Sequence, residues 1–365
     1  MDKTRYSSLG LADVLDTVLS GGRLSAADGE RLFACPDVLA VGALADFRRR
    51  QLHGDKAFFV RNRHVNYTNI CANACTFCAY HRAPGQAGGY VLEPGEVARS
   101  LAESPSPPRE VHIVGGCHTD LRLSYYEELL FAVRRVLPGA ALKCFTAVEI
   151  AHFAAVEGVS TLEVLIRLAA AGLDMLPGGG AEIFAEHVRR RICPNKISAE
   201  QWLAVHAEAH ELGLPTNCTM LFGHVETAAD RIDHLTRLRD LQDRTRGFVC
   251  CIPLPFLVEN SRLAVPGAAT GVEELKTIAI SRLLLDNIPH LKAYWVMLSE
   301  KQAKAALHFG ADDFDGTVVE ERIGHTAGAT SELSHSRREI EEMIRGSGFV
   351  PVERDALFRE IGGAA

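Results

Sequence analysis

The sequence predicts an α/β protein: a parallel (β/α) barrel of the (β/α)8 type with a helical extension in front of it. Three observations carry this. Short β-branched apolar runs alternate with amphipathic helical runs, eight of the apolar runs have strand length, and polar or glycine-rich residues gather where each run ends.

Residues 1–54 read as the helical extension. L-A-D-V-L-D-T-V-L and V-L-A-V-G-A-L-A-D-F-R-R-R place apolar residues at helical spacing, and a Gly-Gly turn separates them. Residues 55–300 read as the core barrel, and 301–365 as the segment that completes it plus a tail. The strand candidates lie near 57–62, 110–116, 142–147, 173–178, 216–223, 248–253, 293–298 and 309–314. Helical runs such as 125–137 and 231–243 fall between them. The eighth candidate is the poorest, which leaves an incomplete six-unit barrel as the alternative.

Active sites of parallel barrels collect at the C-terminal ends of the strands. Here those ends carry the 71–78 cysteine loop, Gly115-Gly116-Cys117-His118, Thr146–Glu149, Gly178-Gly179-Gly180-Ala181-Glu182, Gly223-His224-Val225-Glu226, Pro253-Leu254-Pro255 and Asp312-Asp313. Composition narrows the partners. With 39 Lys and Arg against 46 Asp and Glu, net charge −7 and no basic block, nucleic-acid binding is not expected. No run has the length of a membrane span or the form of a signal peptide, so neither a membrane nor export is expected, and the cytoplasm is the expected compartment. The ten cysteines are scattered outside one triplet and read as reduced, buried thiols, in keeping with that compartment.

The triplet is Cys71, Cys75 and Cys78, spaced C-x3-C-x2-C. Three thiolates on one short loop can hold three irons of a [4Fe–4S] cube and leave the fourth iron open to a ligand. Structural zinc is the competing reading; it wants four closed ligands, and no second pair follows at finger spacing. Cys117 and Cys193 are set aside as fourth ligands because a fourth thiolate would close the open iron. His118 and His224, at strand ends, could move a proton or bind a carboxylate, or be structural. The Arg189-Arg190-Arg191 patch reads as a solvated helix face or as an anion anchor.

The cysteine spacing resembles that of the radical SAM enzymes, whose open iron binds the amino and carboxylate groups of S-adenosylmethionine. Phe77 stands at the aromatic position of that motif. The resemblance implies that Gly115 and Gly116 meet the methionine end of that molecule, the bland reading being a tight βα turn. T-M-L-F-G-H-V-E at 219–226 resembles the G-x-I-x-G-x-x-E strand beneath the adenine, with Thr219 in place of the first glycine; a plain buried strand explains the same letters. On these grounds Phe77, Gly115, Gly116, Glu149, Gly179 and Gly223 are assigned to the cofactor.

Over nearly its whole length the chain is similar to the aminofutalosine synthases, radical SAM enzymes of the futalosine route to menaquinone. T-A-V-E-I, P-G-G-G-A-E and D-G-T-V-V-E-E favour that family over its sisters, the dehypoxanthine futalosine cyclases and the FO synthase subunits. The resemblance implies addition of the 5′-deoxyadenosyl radical to the vinyl carbon of 3-[(1-carboxyvinyl)oxy]benzoate, giving 6-amino-6-deoxyfutalosine, methionine and bicarbonate. It also implies a substrate with two carboxylates, for which Arg82, His118 and His224 are the candidate ligands, and an electron donor such as flavodoxin or ferredoxin. Cys117, Thr119 and Leu257 depart from the family pattern, the last where a histidine is expected. The cyclase reaction is the runner-up, and a non-catalytic iron–sulfur protein the more distant alternative.

Overall fold

The computed structural model describes residues 1–104, 106–265 and 267–361. The last four residues of the expected C-terminal segment therefore lie outside the described residues. Among the described residues nine strands are interspersed with helices: β1 Lys56–Val60, β2 Asn62–Val65, β3 Glu110–Ile113, β4 Ala141–Cys144, β5 Thr216–Phe222, β6 Phe248–Pro255, β7 His290–Leu291, β8 Asp313–Gly316 and β9 Val350–Glu353. All paired strands run parallel, in three sheets ordered β8-β1-β9, β2-β3-β4 and β5-β6-β7. No sheet closes on itself among the described residues. Isolated parallel bridges, Lys143–Met175, Leu176–Thr216, Lys292–Asp313 and Arg63–Val319, run between the sheets.

β5 is buried along its entire length, as a parallel strand covered on both faces must be. Helices such as Leu123–Val136 and Ala228–Thr245 cover the sheets, each presenting its apolar side inward. At the N-terminus four helices precede β1: Lys3–Ser8, Ala12–Leu19, Ala26–Ala34 and Val38–His53. Ser25 and Asp28 form a capping box that starts the third. The fourth packs on the core through Gly42, where a Cβ would come within 2.5 Å of the Phe309 ring. Arg49, on the same helix and fully buried, donates to the carbonyls of Ala311 at 3.2 Å and Gly54 at 2.7 Å.

Four expectations are corrected. The first strand candidate, 57–62, is two strands, because the Arg61 carbonyl accepts from Arg109 and Glu110 and hands the chain from one sheet to another. The cysteine loop consequently follows the second strand. Of 173–178 only Met175 and Leu176 pair, since Pro177 has no N–H to give and glycines follow. The run 293–298 contains the helix Trp295–Leu298, and the strand there is His290–Leu291; a short run apolar on every side does not distinguish the two states. The 309–314 candidate is a 3-10 turn at Leu307–Phe309 followed by β8. β9 is not among the expected strands: a proline, Pro351, argues against one, but β9 is an edge of its sheet, where a missing donor is tolerated.

Candidate active site

Beyond Val65 the chain leaves β2 and is tied down before it reaches the first cysteine. Asn66 Nδ2 donates to the Val114 carbonyl at 3.2 Å, Thr68 Oγ1 to Tyr90 at 2.6 Å and Asn69 Nδ2 to Gly88 at 2.9 Å. The loop is then held from three other segments. Cys71 N donates to the Arg82 carbonyl (3.1 Å), Ala72 N to Cys117 (2.9 Å) and Thr76 N to Ile192 (3.0 Å). Ala74 takes a left-handed conformation, φ 48°, within the turn. The result is a rigid presentation of three thiols over one cavity of about 340 Å³, which all three line.

The thiols sit in unlike surroundings. A hydrogen bond from the Cys117 thiol takes Cys71 down to about 5, whereas burial pushes Cys75 up to about 12 and also raises Cys78. Cys117 in turn accepts from Asn73 Nδ2 at 3.2 Å. Lys196, ion-paired with Glu182, lies 5.2 Å from the Phe77 ring centroid, and its charge favours the Cys75 thiolate.

Glu149 organises the next strand end. It caps the helix Ala147–Glu157 in a box with Thr146, accepting from Thr146 N at 2.8 Å and Thr146 Oγ1 at 2.7 Å. Its other oxygen accepts from Tyr67 at 2.8 Å and from Gly115 N at 3.0 Å, so one carboxyl joins the cysteine loop, the Gly115-Gly116 turn and a helix start. Burial raises this carboxyl to about 7, against hydrogen bonds that favour its charged form.

Phe77, Gly115, Gly116, Glu149 and Gly179 all line the cavity with the thiols. His118, His224, Gly223 and Arg82 do not. His118 Nδ1 accepts from Asp120 N at 3.1 Å, turning the ring onto its own loop. His224 spends both ring nitrogens locally, on Leu221 O at 3.0 Å and Val225 N at 2.7 Å. Gly223, at φ +85°, forms the turn that Glu226 closes by accepting from its N–H. The Arg82 guanidinium donates to the carbonyls of Ala79 at 3.0 Å and His81 at 2.8 Å and borders an adjoining, more open depression. Of the arginine patch, Arg190 and Arg191 are exposed as a solvated helix face requires, whereas Arg189 is buried and bonds the carbonyls of Ala181, Ile183 and Ile197.

Other cavity residues escaped the sequence reading: His64, His112, Lys143, Asn217 and Lys292, on β2 to β5 and next to β7, together with Lys196. Their signal was a polar residue at inward positions of strands that otherwise read as apolar.

As a donor set, three thiols on one loop suit a [4Fe–4S] cube with one open iron and leave structural zinc a ligand short. A three-thiol loop beyond the C-terminal end of a parallel strand, facing glycine-rich turns, marks the radical SAM class. Residues 65–238 match the Radical SAM superfamily, and residues 245–361 match the CofH/MqnC C-terminal region. An aminodeoxyfutalosine synthase of Thermus thermophilus is 44% identical over 356 residues, spanning 96% of each chain. Another of the same name from Streptomyces coelicolor is 42% identical over 355 residues, 93% of this chain and 91% of that one. Among solved structures, methylornithine synthase shares the fold, with TM-score 0.74 at 17% identity over 92% of this chain and 96% of that one. The chain belongs to the radical SAM superfamily and, within it, to the aminodeoxyfutalosine synthase family. It is a radical SAM enzyme acting on a small molecule, and enzymes of this class use a [4Fe–4S] cluster and S-adenosylmethionine.

Proposed function

We propose that this enzyme joins the 5′-deoxyadenosyl group of S-adenosylmethionine to 3-[(1-carboxyvinyl)oxy]benzoate, forming 6-amino-6-deoxyfutalosine, methionine and bicarbonate in menaquinone biosynthesis. The observation that carries the reading is a single cavity that begins at the three thiols and reaches inward to polar side chains on the strands. One space can thus hold both co-substrates in contact. Held by the three thiols, a [4Fe–4S] cluster would supply the one-electron reduction that cleavage of S-adenosylmethionine to an adenosyl radical requires.

The chain's own residues bind, orient and shield. Cys71, Cys75 and Cys78 hold the cluster, and Lys196 offsets its negative charge from beside Phe77. Gly115, Gly116 and Gly179 let the backbone approach the methionine and adenosine, with Glu149 fixing the Gly115 amide. Ile252, Leu254, Phe256 and Leu257 wall the cavity with apolar surface that excludes water from a reactive species. Leu257 belongs to this wall, so the histidine of the family pattern has an apolar replacement here.

The same reading takes the bridges between the sheets as support for an eight-unit parallel barrel spanning 55–300, with 1–54 as its helical extension and 301–365 completing it. No described helix is long and apolar enough to cross a membrane. We place the enzyme in the cytoplasm, apart from membranes and nucleic acid, with a flavodoxin or ferredoxin as electron donor and a dicarboxylate as substrate.

The test is the fate of adenine-labelled S-adenosylmethionine. Label is expected in a product containing both adenosine and the benzoate ring, with free 5′-deoxyadenosine a minor by-product. Label confined to free 5′-deoxyadenosine, with the enol ether untouched, would replace the synthase reading by the cyclase one.

A further inference from the structure

We propose that His64, His112 and Asn217 form a carboxylate-binding subsite at the inner end of the cavity, and that it takes the ring carboxylate of the substrate. The proposal rests on the reaction given above and deepens it.

The three side chains come from three strands and line one cavity, the two histidines brought side by side by register. His64 on β2 stands opposite His112 on β3, and His112 stands opposite Lys143 on β4, so those three lie at one level; Asn217 joins them as a lining residue of the same cavity. The two imidazoles stack with centroids 4.7 Å apart and planes 19° from parallel. Asn217, on β5, is 3% exposed and lines the same cavity, and its Nδ2 donates to no other residue among the described ones. No side-chain hydrogen bond engages His64, His112 or Asn217 among the described residues, and all three line the cavity. Buried polar groups in folded proteins are almost always paired. Donors that line one cavity without a side-chain partner point to a partner that enters it.

The chemistry of that partner follows from the donors. Burial lowers both histidines, which leaves each imidazole neutral with one N–H, and the carboxamide adds an NH2. Lys143 and Lys292 line the same region, the first ion-paired with Glu110 and the second with Asp315. Their charges are therefore already matched, and the free groups offer directed hydrogen bonds to a planar acceptor such as a carboxylate. The substrate has two carboxylates. Its vinyl carbon must reach the adenosyl group near the thiol loop, beyond the end of β2, whereas these three residues lie within the strands. The ring carboxylate is the one at the far end of the molecule, and Ile252 and Phe256 give the ring an apolar wall.

The test compares the reconstituted holoenzyme on 3-[(1-carboxyvinyl)oxy]benzoate and on 2-phenoxyprop-2-enoate, which lacks the ring carboxylate. Wild type should favour the carboxylated compound. His112→Phe, which keeps a stacked ring but no N–H, and Asn217→Ala should each cut the kcat/KM ratio between the two compounds at least tenfold. The change should lie mainly in KM for the carboxylated compound, and His112→Gln should restore part of it. Iron content reports whether each variant keeps its fold; should His112→Phe lose its iron, Asn217→Ala carries the comparison. Equal losses on both compounds, or an unchanged ratio, would overturn the subsite. A wild-type enzyme that makes no adenosine adduct from either compound would instead overturn the reaction itself.

Discussion

At the scale of single residues, the cysteine loop depends on what stands opposite it. A Cβ on Gly116 would overlap the Ile70 carbonyl and come within 2.9 Å of the Cys71 side chain. Backbone cannot yield as a flexible side chain can. Gly116→Ala is therefore expected to displace the loop at Cys71, lowering iron per chain after anaerobic reconstitution to well under half the wild-type value. Gly139→Ala is the control: nothing lies within 4 Å of the place its methyl would occupy and its φ is ordinary, so iron content should not change and the melting temperature should hold or rise slightly. Alanine at Cys71, Cys75 or Cys78 removes a ligand, and four irons retained in any of the three variants would sink the cluster assignment.

At the scale of elements, side chains that face the core hold loops and helices to the sheets. Arg189 spans the glycine-rich segment, donating to Ala181 O at 2.6 Å, Ile183 O at 3.2 Å and Ile197 O at 2.5 Å. Arg189→Met should strand these carbonyls and cost about 2–3 kcal/mol in urea unfolding, since buried acceptors are left unmet. The helix Ala228–Thr245 is seated on β5 by His234, whose Nε2 donates to Thr219 O at 2.9 Å while the ring stacks on Phe184 at 4.0 Å. Burial lowers His234 to about 3, and on the helix Ala199–Glu211 it lowers His210 to about 4. Free histidine titrates near 6.5, so between that pH and these values the unfolded chain binds more protons than the folded one. Their contribution to stability is full above about pH 6.5 and is lost as the pH falls through that window toward 3 or 4. His234→Gln keeps a donor but cannot titrate; it should flatten the pH dependence of apo-protein stability by about one proton, measured by urea unfolding from pH 7 to pH 4.

At the scale of the whole molecule, the last strand is bound to the first. β9 pairs in register with β1, Lys56 opposite Val350 through Phe59 opposite Glu353. Just past it, Arg354 is buried and reaches Asp313 at 2.5 Å and Glu110 at 3.8 Å, with the Phe358 ring 3.9 Å from its guanidinium. One cation thereby ties a C-terminal strand to acidic groups on β8 and β3. Arg354→Ala leaves two buried carboxylates short of a counter-charge and should cost about 3–5 kcal/mol, read as a drop in the urea midpoint. Arg354→Lys should recover part of it. A loss under about 1 kcal/mol would show that the C-terminal strand is dispensable to the core.

Local pattern in the sequence determined the class of fold, the N-terminal helices, four of the strands to within a few residues, and the three thiols with the glycine turns that face them. Each of these is written in adjacent letters: alternating periodicity, a Gly-Gly stop, three cysteines in eight residues. Tertiary structure alone decided which polar residues share the cavity. His118 and His224 stand at strand ends as expected, but their rings bond to their own turns, and a turn's internal hydrogen bonds leave no mark on residue type. His64, His112 and Asn217 are 48 and 105 residues apart in sequence; the histidines stand side by side because parallel register sets β2 and β3 level, and Asn217 reaches the same cavity from another sheet. β9 was invisible for the same reason, since a four-residue run containing proline becomes a strand only where an edge needs one neighbour and no donor. Proximity across strands is a property of pairing, which periodicity along one segment does not encode.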